Sequence, residues 1–246
     1  MLSADEIRAR KGGDRLAMLT AYDYPTAVAL DRCGLDLVLV GDSLGEVELG
    51  LASTKEVTLE MMAHHIGAVR RGLADTHLVG DMPLGSDDPA ETAVASARAL
   101  AAAGADSVKL EGPKIDSVRA IIADGIPVMG HVGLLPQTAV DYRRQGTTPE
   151  DADRIVREAE QLEAAGCYSI VIEAVVPEVA ERVSAACRVP TIGIAAGMAT
   201  DGQVLVSTDL IGQLPEQPPF VTPQADVHGV VVTAAKAYVA AVRGAG

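Results

Sequence analysis

Short apolar runs that stop at a glycine, an acid or a proline recur along the chain, separated by longer stretches whose apolar residues repeat at helical spacing. The runs LAMLTAY (16–22), LDLVLVGD (35–42), HLVGDMP (77–83), SVKLEG (107–112), PVMGHVG (127–133), SIVIEAV (169–175), PTIGIAAG (190–197) and QVLV (203–206) read as eight strands. Ser3–Lys11 reads as a short leading helix, with Ser3 and Glu6 at capping-box spacing and Gly12 and Gly13 behind it. Pro25 opens a helix reaching about Gly34, Thr58 caps one reaching about Gly72, and Pro89–Ala103 stops at Gly104. Further helices are expected up to Asp124, over Pro149–Ala165 and over Pro177–Cys187. A proline-rich crossing, QLPEQPPFVTPQ (213–224), precedes a terminal helix over Ala225–Arg243. This alternation predicts an α/β fold: a (β/α)8 TIM barrel forming a single catalytic domain over residues 1–246, its bottom covered by the short N-terminal helix.

Composition narrows the function classes. The 246 residues, 48% of them hydrophobic, suffice for one such core. Lys and Arg total 20 against 34 Asp and Glu, a net charge of -14 that repels a phosphate backbone or an anionic membrane. Aromatic residues are 2% with no Trp, which leaves no platform for stacking bases. Neither nucleic acid nor membrane is an expected partner. Cys33, Cys167 and Cys187 lack metal-ligand spacing and fit a reduced protein. The charged segment MLSADEIRARKGGD lacks the apolar centre of a signal peptide, and no run approaches the roughly 20 apolar residues of a membrane span. The expected location is cytoplasmic.

Asp42, Asp81, Glu111, His131 and Glu173 fall at or near the carboxyl ends of five consecutive strands, and barrel closure brings such positions to one mouth. One acid at a strand end is commonly a helix cap or a solvated loop residue; a set on consecutive strands points to chemistry. Clustered carboxylates repel unless protonated or bridged, and an oxygen-only ligand set favours a hard ion such as Mg²⁺. Lys109, two residues from Glu111 and on the same strand face, supplies either a positive charge for an anionic substrate or an interior salt bridge. The small residues of Ile192–Gly197 fit a phosphate cradle or close helix packing equally well. His64 and His65, on a helix away from the strand ends, read as surface or packing residues.

The blocks AYDYP (21–25), VGDSLG (40–45), STKEVTLEMM (53–62), DMP (81–83), VKLEG (108–112), GHVGLLPQ (130–137), QG (145–146), VIEAVVPE (171–178), PTIGIAAG (190–197) and DGQVLV (201–206) resemble the ketopantoate hydroxymethyltransferase family. That family belongs to the phosphoenolpyruvate mutase and isocitrate lyase superfamily of barrels. The resemblance runs in order from about residue 16 to 212. It implies Mg²⁺-dependent transfer of a one-carbon unit from 5,10-methylenetetrahydrofolate to 3-methyl-2-oxobutanoate, giving 2-dehydropantoate in pantothenate biosynthesis. It also implies a homo-oligomer, with a decamer as one candidate size. Carried onto this chain, Asp42 and Asp81 become metal ligands, with Glu111 completing the metal environment directly or through water. Ser43 and Lys109 bind the substrate carboxylate, His131 is a polar neighbour of the substrate, and Glu173 is the base, its apolar strand expected to raise its pKa.

Departures from the family pattern concern the rim. Glu46 and Glu48 stand where apolar residues are usual, DMP continues as PLGSDDP, the loop after GLLPQ is short and lacks a glycine pair, and the C-terminal tail is short. They leave open a related 2-oxo acid as acceptor or formaldehyde as donor. The alternatives are a 2-oxo acid lyase or mutase of the same superfamily and a non-catalytic barrel that binds metal and oxo acid.

Overall fold

In the computed structural model, which describes residues 1–244, the eight apolar runs become parallel strands that pair in chain order around a closed barrel. They are β1 (Leu16–Thr20), β2 (Leu37–Val40), β3 (His77–Asp81), β4 (Ser107–Lys109), β5 (Val128–Gly133), β6 (Ser169–Glu173), β7 (Thr191–Ile194) and β8 (Gly202–Leu205). The Leu16 amide donates to the Asp201 carbonyl at 2.9 Å beside the seam between β8 and β1. Gly202 is required there, because a Cβ would lie 2.6 Å from the Leu16 carbonyl oxygen.

Helices follow the strands as the sequence pattern predicts: α1 (Ala4–Arg8), α2 (Tyr24–Leu30), α3 (Leu44–Val47), α4 (Leu59–Arg70), α5 (Ala90–Ala103), α6 (Ile115–Ala123), α7 (Pro149–Ala165), α8 (Pro177–Ala186), α9 (Ser207–Leu210) and α10 (Val227–Gly244). Their ends carry the expected signals. Ser3 and Glu6 close a reciprocal capping box on α1, and Thr58 and Thr148 accept from the third backbone N–H of α4 and α7. Gly104 and Gly166 end α5 and α7 in the left-handed conformation that a side chain resists. After β2 the chain forms α3 and a 3-10 turn over Thr54–Glu56, and after β8 it forms α9, three short elements that the periodicity does not predict. Elements of three or four residues are too short to show a periodic pattern.

The described residues group into two compact units, one from Met1 to Val204 and one from Leu205 onward. The first holds the barrel. Its interior is filled by Leu16, Met18, Leu37, Leu39, Val79, Met129, Val171, Ile192 and Val204, with Ile7 of α1 packed into the same cluster. Tyr168 also belongs to it, and its hydroxyl meets Ser107 Oγ at 2.9 Å; Ser107 Oγ in turn meets His77 Nε2 at 2.9 Å, and His77 Nδ1 the Leu2 carbonyl at 2.9 Å. Those links satisfy the polar groups that the floor of the barrel buries. The second unit comprises α9, the proline-rich stretch and α10.

All three cysteines are free; Cys33 is exposed whereas Cys167 and Cys187 are buried. Burial pushes their thiols up to about 12 for Cys167 and about 11 for Cys187. Titration of the native protein with an aromatic disulfide reagent is therefore expected to modify Cys33 and spare the other two until the protein unfolds. Equal reaction rates at all three positions would contradict this packing.

Candidate active site

Each candidate group lies where a strand gives out. β2 is buried along its whole length, and the chain then passes through Gly41 to Asp42 and Ser43. Ser43 precedes α3 but makes no side-chain cap; its hydroxyl instead meets the Tyr22 hydroxyl at 2.8 Å. Gly45 is tightly enclosed, since a Cβ would come within 2.6 Å of Val57 Cγ2. Asp81 ends β3 in register with Lys109, the last residue of β4. Glu111 lies two residues beyond β4 rather than inside it, so the same-strand argument for Lys109 and Glu111 holds only in part. His131 lies within β5, and Glu173 ends β6.

These groups converge. Lys109 Nζ is 2.8 Å from Asp81 Oδ1 and 3.4 Å from His131 Nδ1. The Asp42 amide points at Asp81 Oδ2 at 3.4 Å. His131 Nδ1 lies 3.8 Å from Glu111 Oε1, and its Nε2 lies 3.4 Å from Glu173 Oε2. The ammonium faces Nδ1, so the tautomer that suits both neighbours accepts there and carries its proton on Nε2, which lies 3.4 Å from Glu173 Oε2 without closing a hydrogen bond to it. Burial and then the charge of Lys109 both lower the His131 pKa, which keeps the ring neutral.

The electrostatics are those of buried carboxylates short of cations. Burial pushes Asp81 up to about 6, against the pull of Lys109, and Glu111 up to about 9, with Asp42 and Asp81 adding to the rise. Asp42 is raised by burial as well, opposed by Lys109 and by a hydrogen bond from Gln137. The Lys109 ammonium is itself penalised by burial, but Asp81, Glu111 and Asp42 more than reverse that and hold it charged. Glu173 is different from the rest: it was expected in an apolar setting, yet its side chain is 25% exposed at the open edge of the mouth.

Sequence reasoning missed three members of this neighbourhood. Tyr22 anchors Ser43, and Gln137 bonds both Asp42 and Glu111. Tyr142, on the loop after β5, feels the charges of Glu46, Asp42 and Glu173. Gln137 ends the GLLPQ block and was legible as a polar residue closing an apolar run; the two tyrosines carried no comparable signal. Burial raises the pKa of both rim glutamates, with the charge of Glu173 adding to the rise at Glu46 and that of Asp23 at Glu48. The small residues of β7 are explained by packing, since a Cβ on Gly193 would lie 2.9 Å from both Gln203 Nε2 and Thr200 Oγ1. His65 Nδ1 contacts the Tyr22 carbonyl at 2.6 Å, a packing role, and His64 is exposed.

Among the described residues no three His, Cys, Asp or Glu side chains already close on a single ion position. The donor set nonetheless fits Mg²⁺, which takes one or two carboxylates and fills its remaining positions with water and substrate oxygens. Asp42 and Asp81 are such a pair, and the surplus of buried carboxylates over Lys109 is a charge imbalance that a divalent cation offsets.

The model of the family described as ketopantoate hydroxymethyltransferase matches residues 2–245. A protein of Ignicoccus hospitalis named 3-methyl-2-oxobutanoate hydroxymethyltransferase is 46% identical over 245 residues, covering 97% of this chain and 93% of its own length. One of the same name from Anaeromyxobacter sp. is 47% identical over 248 residues, covering 96% and 81%. Among solved structures, phosphonopyruvate hydrolase in complex with oxalate and Mg++ is similar in fold, with a TM-score of 0.66 at 13% identity over 100% of this chain and 88% of that one. No helix among the described residues is long and apolar enough to cross a membrane. With the expected acids, lysine and histidine gathered at one barrel mouth and the sequence match running nearly end to end, the chain belongs to the ketopantoate hydroxymethyltransferase family.

Proposed function

We propose that the mouth of the barrel adds a hydroxymethyl group to C3 of 3-methyl-2-oxobutanoate, giving 2-dehydropantoate, with Mg²⁺ in the site and 5,10-methylenetetrahydrofolate as the one-carbon donor. The observation that carries this reading is the fixed line from Asp81 through Lys109 and His131 to Glu173, with steps of 2.8, 3.4 and 3.4 Å. A cation that suits a substrate carboxylate stands there beside oxygen atoms that suit a metal, with a candidate base at the far end. The Mg²⁺ and oxalate of the phosphonopyruvate hydrolase complex support a divalent ion here, because a 2-oxo acid presents a similar pair of adjacent oxygens.

In this reading Asp42 and Asp81 hold the cation, and Glu111 completes its surroundings directly or through water. The bound ion supplies Lewis-acid polarisation of the ketone oxygen. Lys109 and Ser43 hold the substrate carboxylate, and Tyr22 fixes the Ser43 hydroxyl. Glu173 takes the proton from C3, with the neutral His131 aligning it through Nε2–H. The carbanion and a water oxygen replace the two nitrogens on the methylene carbon of the donor: a C–C and a C–O bond form, both C–N bonds break, and the proton taken by Glu173 and one from water leave on the two nitrogens of tetrahydrofolate. Glu173 sits at the open edge, where a second, larger substrate has access.

The reading extends to a cytoplasmic homo-oligomer in which residues 1–246 act as one catalytic domain. Free thiols fit a reducing compartment. Val230, Val231, Tyr238, Val239 and Val242 of α10 are exposed, and apolar residues gathered on one helix favour a covering partner.

Deuterium exchange at C3 of 3-methyl-2-oxobutanoate, followed with Mg²⁺ and with chelator, tests the enolisation. Metal-dependent exchange is expected, followed by 2-dehydropantoate when methylenetetrahydrofolate is added. Absence of metal-dependent exchange with any 2-oxo acid would sink the reading, and product formation from formaldehyde alone would replace the donor.

A further inference from the structure

Gln137 is 1% exposed on the stretch that follows β5. Its Nε2 donates to Asp42 Oδ2 at 2.9 Å and to the Met82 carbonyl at 2.9 Å. Both partners are pure acceptors, so only the nitrogen of the amide can face them and both of its protons are used. The backbone N–H of the same residue donates to Glu111 Oε2 at 3.2 Å. One side chain and its own amide thus reach residues just past the ends of β2, β3 and β4. The remaining atom, Oε1, is buried without a hydrogen-bond partner.

We propose that Gln137 is a positioning residue for the cation site: it holds Asp42 through Oδ2, fixing the orientation in which that carboxylate would meet a metal, and it holds Glu111 at the edge of the same site. A carboxylate on a single rotatable stem can turn to present either oxygen or both. A hydrogen bond to one oxygen removes that freedom before the ion arrives, as outer-shell partners of metal ligands generally do. The unpartnered Oε1 fits the same role, because it leaves a buried acceptor beside the site for a donor that a bound ligand would bring. The proposal rests on the Mg²⁺ reading above.

Mn²⁺ is a spectroscopically visible probe for the site, and its binding to the full chain in the absence of substrate is the measurement. Gln137→Met keeps the length of the side chain and removes its donors; Gln137→Asn keeps the amide but withdraws it by one methylene. Both are expected to weaken Mn²⁺ binding by about 10–100-fold. Thermal melting in chelator, run alongside, reports the fold separately, and the Asn variant carries the measurement if the Met variant does not fold. Variants that melt earlier but bind Mn²⁺ as tightly as the parent would make Gln137 a purely structural residue and overturn the proposal. A parent protein that binds no Mn²⁺ would remove the metal reading, and this proposal with it; a parent that binds while the variants match it removes only the role of Gln137.

Discussion

Exchange of Glu173 for Gln is expected to lower metal-dependent proton exchange at C3 of 3-methyl-2-oxobutanoate by about 10²–10⁴-fold, the usual contribution of a positioned general base. Oxo-acid binding should survive, because the groups assigned to the substrate carboxylate are Ser43 and Lys109, and Lys109 meets His131 at Nδ1, away from the Nε2 that faces Glu173. Gln keeps the size of the side chain and can still meet His131 Nε2, now 3.4 Å from Glu173 Oε2. The loss is then chemical rather than architectural. Isotope exchange and equilibrium binding on the same preparation separate the two, and a Glu173→Gln protein that exchanges at the parent rate takes Glu173 out of the role of base.

Lys109→Met is expected to have the largest effect on the fold itself. The ammonium is buried between Asp81, at 2.8 Å, and His131, and it opposes the burial cost of Asp42 and Glu111. Removing it leaves buried carboxylates without their counter-charge, a change that typically costs about 3–5 kcal/mol. Denaturant unfolding in chelator, at neutral pH, is the direct measurement. The same variant should lose affinity for the oxo acid, since its carboxylate no longer meets a cation. A Lys109→Met protein as stable as the parent, or one that binds the oxo acid unchanged, would show that the charge balance lies elsewhere.

The barrel was readable because most strands are apolar runs cut off by a glycine, an acid or a proline, and several of the intervening helices carry a side-chain cap or a left-handed glycine. The acids were readable as a set: one at a strand end is commonplace, but titratable groups at or near the ends of five consecutive strands are not. What escaped the sequence was short or non-local. α3 is four residues long and shows no period. Gln137 meets Asp42 across 95 positions of chain, a contact that no spacing rule contains. The exposure of Glu173 was misjudged because the apolar residues around it in sequence belong to a strand whose last residue reaches solvent.

Asp42, Glu111 and Gln137 are not in the barrel ladder; they sit two to four residues past it, with Glu46 and Tyr142 farther along the stretches that follow β2 and β5. The reacting groups are thereby fastened to the frame, while the outer turns hang from it as separate attachments. Inheritance can act on the two independently: an outer segment such as α3, which carries Glu46, can change length or charge without displacing an oxygen of the inner set. Divergence in what such a barrel accepts should accumulate outside, in parts that are exchangeable by design of the scaffold, while the inner set changes only all at once or not at all.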